Sequence, residues 1–168
     1  MTVLLIDGRS GSGKSELATA LRDTAQVVRL DDVYPGWDGL AAGSALVPAI
    51  IRDRRYRRWN WVAAEYAEWH ELDDRPLVIE GCGTLSRLNR SLADYGLWVE
   101  HPADDRRRRA LLREPDFAPH WDRWAAQEQK FIDRERPRER ADAEVDGSDV
   151  TVDVERWRRI LDPARVDG

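Results

Sequence analysis

Short apolar runs recur along the chain, and each is closed by charged residues, glycine or proline. Runs that are apolar throughout, rather than alternating with polar residues, are typical of strands buried on both faces of a sheet. The predicted strands cover residues 2–6, 26–30, 76–80, 97–100 and 143–146. We therefore predict one sheet of five parallel strands.

The segments between these runs have the character of helices. In the first of them, Leu17, Ala18 and Leu21 recur at helical spacing. The predicted helices cover residues 14–25, 45–52, 59–71, 85–95, 103–113, 120–134 and 154–161, and residues 34–43 are predicted to be irregular. Strands that alternate with helices predict the α/β class, with three layers and helices on both faces of the sheet.

The carboxyl ends of such strands form the edge at which ligands bind. The predicted strands are followed by residues 8–15, by Asp31 and Asp32, and by His101, while Glu80 is the last residue of its strand. We expect these residues to form the rim of a binding site.

The composition narrows the class of protein. Of 168 residues, 42% are hydrophobic and 35% are charged, and the formal net charge is -5. A negative net charge disfavours nucleic acid and anionic membranes as partners, so we expect neither. Cys82 is the only cysteine, which excludes an internal disulfide. With no evident signal peptide or membrane span, we expect a cytoplasmic protein, a monomer or homodimer, with one domain over residues 1–168.

Residues 8–15 carry the most specific motif of the chain. They match G-x-x-x-x-G-K-[ST], the Walker A motif, between an apolar strand and a helix. Glycines let successive backbone N–H groups surround a phosphate, and the helix N-terminus that follows favours an anion. The motif consists of Gly8, Arg9, Ser10, Gly11, Ser12, Gly13, Lys14 and Ser15. We therefore predict the P-loop NTPase fold, with ATP and Mg²⁺ bound at this loop.

Two residues of the motif have separate roles. Lys14 and Lys130 are the only lysines, and Lys14 is expected at a solvent-facing helix start from which it reaches the β- and γ-phosphates. The Ser15 hydroxyl is expected to bind Mg²⁺. The N-K-x-D string typical of GTPases does not occur, and large ATPase modules need a longer chain. Phosphoryl transfer to a small molecule is therefore the predicted class of function.

Three short strings resemble the uridine and cytidine kinases. Leu-Asp-Asp-Val-Tyr at 30–34 resembles their D-x-F-Y segment, and Val-Ile-Glu-Gly at 78–81 resembles their E-G segment. The arginine-rich segment 103–113 resembles the helix that leads into their lid, and small uridine kinase-like proteins share the strings at 34–40 and 56–61. The resemblance implies a small-molecule kinase for a nucleoside, nucleotide or similar acceptor. It also implies an acceptor-region insertion at about 35–74 and a short lid at about 106–120.

The resemblance implies roles for two acidic positions of the rim. Asp31 stands where these kinases place the general base that receives the acceptor's proton, and Asp32 is the alternative. Either acid could instead cap a helix or face solvent. Glu80 is expected to hold Mg²⁺ together with Ser15, and the alternative is a paired structural acid.

The arginines of 103–113 are expected to act on the phosphates. Arg106, Arg109 and Arg113 are spaced i, i+3 and i+7, which places them on one helical face. If this face points inward, the guanidinium groups neutralise charge on the transferring phosphoryl group, and if it points outward they are solvated.

The segment between the second and third strands is expected to bind the acceptor. The candidate residues are Trp37, Tyr56, Arg58 and Trp59. The aromatic rings would stack on a planar acceptor, whereas Arg55, Arg57 and Arg58 would suit an anionic one. Core packing is the competing interpretation for the aromatic residues.

Two functional hypotheses remain at the level of sequence. The first is an ATP-dependent, Mg²⁺-dependent kinase with Lys14, Asp31 and the arginine helix in catalytic roles. The second is a nucleotide-binding regulatory or interaction module that hydrolyses ATP slowly.

Overall fold

The computed structural model describes residues 1–162, within which five of the seven strands coincide with the predicted strands. The seven strands are β1 (Val3–Asp7), β2 (Gln26–Arg29), β3 (Arg55–Asn60), β4 (Glu65–Glu71), β5 (Leu77–Glu80), β6 (Tyr95–Glu100) and β7 (Ala143–Asp146). Five of them form one parallel sheet in the order β2-β5-β1-β6-β7. The predicted five-stranded parallel sheet is confirmed, and β1 and β5 are its most buried strands.

Helices cover both faces of this sheet. They are α1 (Lys14–Ala20), α2 (Leu40–Asp53), α3 (Arg87–Ser91), α4 (Ala103–Arg113), α5 (Trp121–Glu135), α6 (Pro137–Arg140) and α7 (Thr151–Leu161). Side chains alternate along a strand, so β1 sends Val3 and Leu5 into the core beneath α2 and α5. Leu4 and Ile6 enter the second core, beneath α1 and α7. This is the predicted three-layer fold. No helix within residues 1–162 is long and apolar enough to cross a membrane.

The predicted helix over 59–71 is wrong, because this segment belongs to an antiparallel hairpin of β3 and β4. The turn between the strands is closed by Asn60, whose side-chain oxygen accepts hydrogen bonds from the N–H groups of Val62 and Ala63. Across the strands, Trp59 packs edge-on against Tyr66, and Arg55 lies over the ring of Trp69. Cross-strand aromatic and cation–π pairs thus replace the helical face that the spacing suggested.

Other helices differ from prediction in their limits. The helix predicted over 14–25 ends at Ala20, because the next N–H groups bond only three residues back in a turn, and the helix predicted over 154–161 begins earlier, at Thr151. The helix expected over 85–95 is reduced to α3, which Ser86 caps by accepting a hydrogen bond from the Asn89 N–H. It ends early because Tyr95 already belongs to β6 and pairs with Leu4 of β1. The helix expected over 45–52 extends over the longer α2.

The sheet order brings the carboxyl ends of three strands side by side. β5 lies between β1 and β2, so Glu80 at the end of β5 stands between the loop after β1 and Asp31 after β2. This arrangement places the predicted rim residues on one edge of the sheet, as parallel strands require.

Candidate active site

The loop over residues 8–15 connects β1 to α1 through conformations that only glycine adopts easily. Gly11 has a φ of 78°, and a Cβ atom there would lie 2.1 Å from the carbonyl oxygen of Arg106. Gly13 caps α1 in the left-handed region, with a φ of 111°. The glycines of the motif are therefore required both by the turn itself and by the close approach of a neighbouring backbone.

The interior of this loop presents unused hydrogen-bond donors. Within residues 1–162, no hydrogen bond engages the backbone N–H groups of Gly11, Gly13, Lys14 or Ser15. The hydroxyl of Ser12 is fully buried and also lacks a partner there. Gly11, Gly13, Lys14 and Ser15 line the same cavity, and a phosphate group placed there would satisfy their open donors together. The loop fits the phosphates of a nucleotide.

Lys14 lies inside the site rather than at a solvent-facing helix start. Only 7% of the residue is exposed, and its Nζ donates a 3.0 Å hydrogen bond to the carbonyl oxygen of Arg9. Burial alone would lower the pKa of Lys14, but surrounding acidic groups, including Glu80 and Glu128, outweigh it and raise the pKa. The ammonium is thus held charged in a buried position next to the phosphate cradle.

Ser15 and Glu80, the two predicted metal ligands, are in direct contact. The Ser15 hydroxyl donates a 2.8 Å hydrogen bond to Oε1 of Glu80. Burial, followed by the charge of Asp31, raises the pKa of Glu80. No cluster of three or more His, Cys, Asp or Glu within residues 1–162 could hold a metal by itself. A hydroxyl and one carboxylate suit Mg²⁺ that is also held by phosphate oxygens.

Arg29 is a site residue that the sequence analysis missed. Its Nε lies 3.2 Å from Oε1 of Glu80, and its Nη2 lies 3.2 Å from Oδ2 of Asp31. Burial would lower the pKa of Arg29, but Asp31 and Glu80 raise it. The available signal was an arginine at the end of an otherwise apolar strand, directly before two acids. The guanidinium of Arg29 thus links Glu80, the expected metal ligand, to Asp31, the expected base.

One cavity of about 520 Å³ joins the phosphate loop to Asp31. It is lined on the phosphate side by Ser10, Gly11, Gly13, Lys14, Ser15 and Glu80, and on the far side by Asp31, Asp32, Tyr34, Trp37, Trp61, Phe117, His120 and Trp124, with Arg29, Val62, Cys82, Arg113, Glu114 and Asp116 completing the lining. This one cavity is therefore bordered by the phosphate loop, by Glu80 and Asp31, and by a wall of aromatic side chains.

Trp37 is the centre of the aromatic wall. Its ring is stacked on His120 at a centroid distance of 4.2 Å and on Phe117 at 5.2 Å. Trp61 packs against it at 4.9 Å and donates a 2.9 Å hydrogen bond from Nε1 to the carbonyl oxygen of Asp31. The wall thus reaches the residue expected to act as base.

The other predicted acceptor residues lie outside this cavity. Tyr56 is stacked on His70, and Trp59 packs on Tyr66 within the hairpin. Arg58 lies about 4 Å from Asp32 and Glu68 on the hairpin surface. The sequence predicted a helix over residues 59–71, whereas the hairpin directs its tip, with Trp61 and Val62, toward the cavity.

Three of the five arginines of α4, namely Arg106, Arg109 and Arg113, lie beside the phosphate loop, each with a different partner. Arg106 is buried and donates from Nε to the carbonyl oxygen of His101 and from NH1 to that of Ser10. Arg109 donates to the carbonyl oxygen of Gly147. Together, Arg109 and Arg113 line a second cavity of about 450 Å³ beside the loop. Arg106 supports the loop, whereas Arg109 also pairs with Glu16 and Arg113 lies at the border of both cavities.

Two buried acids behind the loop were also not predicted. Asp7 accepts hydrogen bonds from the N–H groups of Gly8, Gly83 and Leu85. Burial raises the pKa of Asp7 to about 6, although these donors oppose the rise. Glu128 of α5 accepts from the N–H and the hydroxyl of Ser10. The aspartate at the end of β1 was visible in the sequence, but Glu128 has no local motif.

Comparison with known proteins supports the fold assignment. No family model matches the chain, and no curated protein sequence matches it. A solved structure described as a possible uridine kinase from Bacillus stearothermophilus is 19% identical, with 85% of this chain and 87% of that chain covered and a TM-score of 0.54. The shikimate kinase from Bacteroides thetaiotaomicron is 12% identical, covering 95% and 98%, with a TM-score of 0.54. The gluconokinase from Sinorhizobium meliloti 1021 is 14% identical, covering 99% and 97%, also at 0.54. The chain has the fold of P-loop kinases.

Proposed function

We propose that this chain is a small-molecule kinase that transfers the γ-phosphate of ATP, with Mg²⁺, to a hydroxyl of a nucleoside, nucleotide or similar acceptor. The observation that carries the proposal is the shared cavity, in which the open phosphate cradle and the Asp31 carboxylate face the same space. Solved structures of similar fold described as uridine, shikimate and gluconate kinases support a phosphotransferase of this class.

The residues of the cavity divide the reaction among them. The acceptor oxygen forms a bond to the γ-phosphorus, the bond from that phosphorus to the β,γ-bridging oxygen breaks, and ADP leaves. Asp31 receives the acceptor's proton, while Lys14 and Arg113 stabilise the charge on the transferring group. Ser15 and Glu80 would hold Mg²⁺, which would neutralise charge on the phosphates when bound.

The lining of the cavity favours an acceptor without negative charge. Asp31, Asp32, Glu114 and Asp116 all line the cavity. The arginine nearest to Asp31 is occupied by Asp31 and Glu80. A phosphorylated acceptor would meet repulsion from these acids, whereas a flat, uncharged ring could lie against the aromatic wall. We therefore favour a nucleoside or similar hydroxyl compound over a nucleotide.

The direct test is ADP release measured across a panel of nucleosides, nucleotides and hydroxylated ring compounds. The comparison of Asp31→Asn with Asp32→Asn identifies the base, because both changes remove one charge from the same rim. We expect Asp31→Asn to lower acceptor-dependent turnover by at least about 10²-fold, with ATP binding nearly unchanged. Tight ATP binding without turnover for any acceptor would instead favour the regulatory-module hypothesis.

A further inference from the structure

Helix α5 carries a buried carboxylate that holds the first half of the phosphate loop. Oε1 of Glu128 accepts a 2.7 Å hydrogen bond from the Ser10 N–H and a 2.8 Å hydrogen bond from the Ser10 hydroxyl. Its Oε2 lies 3.1 Å from Nε of Arg9. Only 3% of Glu128 is exposed, so this contact is part of the interior of the protein and not a surface ion pair.

The backbone of Ser10 is held from two sides. Its N–H is bound by Glu128 from α5, and its carbonyl oxygen accepts a 3.4 Å hydrogen bond from Arg106 of α4. The open donors of the loop begin at the next residue, Gly11. The Ser10 N–H is thus turned away from the phosphate cradle, and Glu128 occupies a position outside it.

The charge on Glu128 is compatible with a nearby nucleotide. Burial opposes ionisation, but the hydrogen bonds from Ser10 and the charge of Lys14 lower the pKa of Glu128. Its negative charge is met by the guanidinium of Arg9 and the ammonium of Lys14. The carboxylate therefore anchors the loop without leaving an uncompensated charge beside the phosphates.

The same helix reaches the aromatic wall of the acceptor cavity. Gln127, the neighbour of Glu128, donates a 2.7 Å hydrogen bond to the carbonyl oxygen of Trp37. Trp124, one helical turn earlier, packs edge-on against Trp37 and Tyr34. One face of α5 is consequently in contact with both the phosphate loop and the wall.

We propose that Glu128 is a positioning residue that fixes the phosphate loop in its nucleotide-binding shape and, through α5, links that shape to the aromatic wall. This inference rests on the proposed kinase function, because that function gives the positioning of the loop its role. It names a residue that the Walker A motif does not contain, which touches neither the phosphates nor the acceptor directly.

The variant Glu128→Gln tests this proposal, because it keeps the size of the side chain and removes the charge. Asp133→Asn is the matched control, since Asp133 lies exposed on the same helix and is bonded to Gln129. The probe is ADP with Mg²⁺, titrated by calorimetry. Hydrogen exchange of the peptides covering residues 8–15 and 34–40 is followed by mass spectrometry, with and without ADP.

We expect Glu128→Gln to bind ADP about tenfold more weakly, which matches the contribution of one charge-assisted hydrogen bond. Exchange at residues 8–15 should be faster without ADP, and the protection that ADP confers on residues 34–40 should be reduced. Asp133→Asn should match the wild type in all three measurements. If Glu128→Gln does not fold, Ser10→Ala removes one of the same hydrogen bonds from the other side and should weaken ADP binding in the same direction.

The outcomes separate this inference from the proposed function. Wild-type ADP affinity and exchange in both Glu128→Gln and Ser10→Ala would overturn the positioning role while leaving the kinase proposal intact. A wild type that does not bind ADP would overturn the kinase proposal. Exchange at residues 8–15 without nucleotide would then still decide whether Glu128 holds the loop.

Discussion

Replacement of Lys14 by methionine is the sharpest perturbation of this site, and the chain supplies its own control. Methionine keeps most of the length of the side chain and removes the charge, and Lys130, the only other lysine, lies exposed on α5. Lys14→Met and Lys130→Met therefore differ in location but not in chemistry. Any effect confined to Lys14→Met arises from the phosphate site.

We expect two separate losses in Lys14→Met. Turnover should fall by at least about 10²-fold, or roughly 2.7 kcal/mol, because the buried cation that meets the transferring phosphate is gone. The protein should also lose about 3 kcal/mol of stability at pH 7, since removal of one partner leaves buried acids uncompensated. The acids concerned are Asp7, Glu80 and Glu128, which all interact with Lys14.

The stability loss should depend on pH in a defined direction. Burial raises the pKa of Asp7 to about 6, so at pH 5 this acid is mostly protonated and the repulsion left by the missing ammonium is smaller. Urea unfolding of Lys14→Met and Lys130→Met at pH 5 and pH 7 measures this difference, and ADP release measures turnover. Full activity in a folded Lys14→Met protein would refute the assignment of the phosphate site. An equal stability loss at both pH values would refute the electrostatic account.

Three further expectations test other parts of the site. Ser15→Ala and Glu80→Gln should each raise the Mg²⁺ concentration for half-maximal activity, and an unchanged Mg²⁺ dependence in Glu80→Gln would make that acid structural. The folded protein keeps a proton on Asp7 up to about pH 6, whereas the unfolded chain releases it near pH 4. The wild type should therefore lose up to about 3 kcal/mol of stability relative to Asp7→Asn between pH 4 and pH 7, measured by urea unfolding. Parallel stability curves for the two proteins would contradict the raised pKa. Trp61→Ala should raise the KM for the acceptor severalfold while the matched change Trp59→Ala leaves it unchanged, since only Trp61 lines the cavity, and equal effects would show that the hairpin acts as a whole.

The sequence was sufficient to predict the parts of the molecule that depend on local patterns. The central strands β1 and β5 are apolar runs that are buried throughout, and burial on both faces requires that composition. The edge strands β2 and β7 are more polar and only partly buried. The phosphate loop is a contiguous string of residues, and its backbone geometry determines the spacing of its glycines. These features need no information about distant residues, and the structure has the predicted fold.

The hairpin and the roles of Asp7 and Glu128 could not be predicted from the sequence, because they depend on contacts between distant or exposed residues. Both strands of the hairpin are largely exposed, so no alternation of apolar and polar positions marked them as strands. Its turn contains no glycine, although Ala64 adopts a φ of 54°. Glu128 meets Ser10 only through the packing of α5 against the loop, and nothing near Glu128 in the sequence indicates that contact.

The order of strands in the sheet has a consequence for how the chain folds as it is synthesised. The first strand pairs on one side with β5 and on the other with β6. Val3 therefore cannot pair until Leu77 has been synthesised, and Leu4 cannot pair with β6 until Tyr95 has been synthesised. The hairpin of β3 and β4, by contrast, pairs residues that are near neighbours in the chain, and such pairings form on a timescale of about microseconds. We therefore expect the hairpin to form before the sheet as the chain emerges from the ribosome. The phosphate loop, which follows β1 directly, should gain its shape only after β5 and β6 have joined β1.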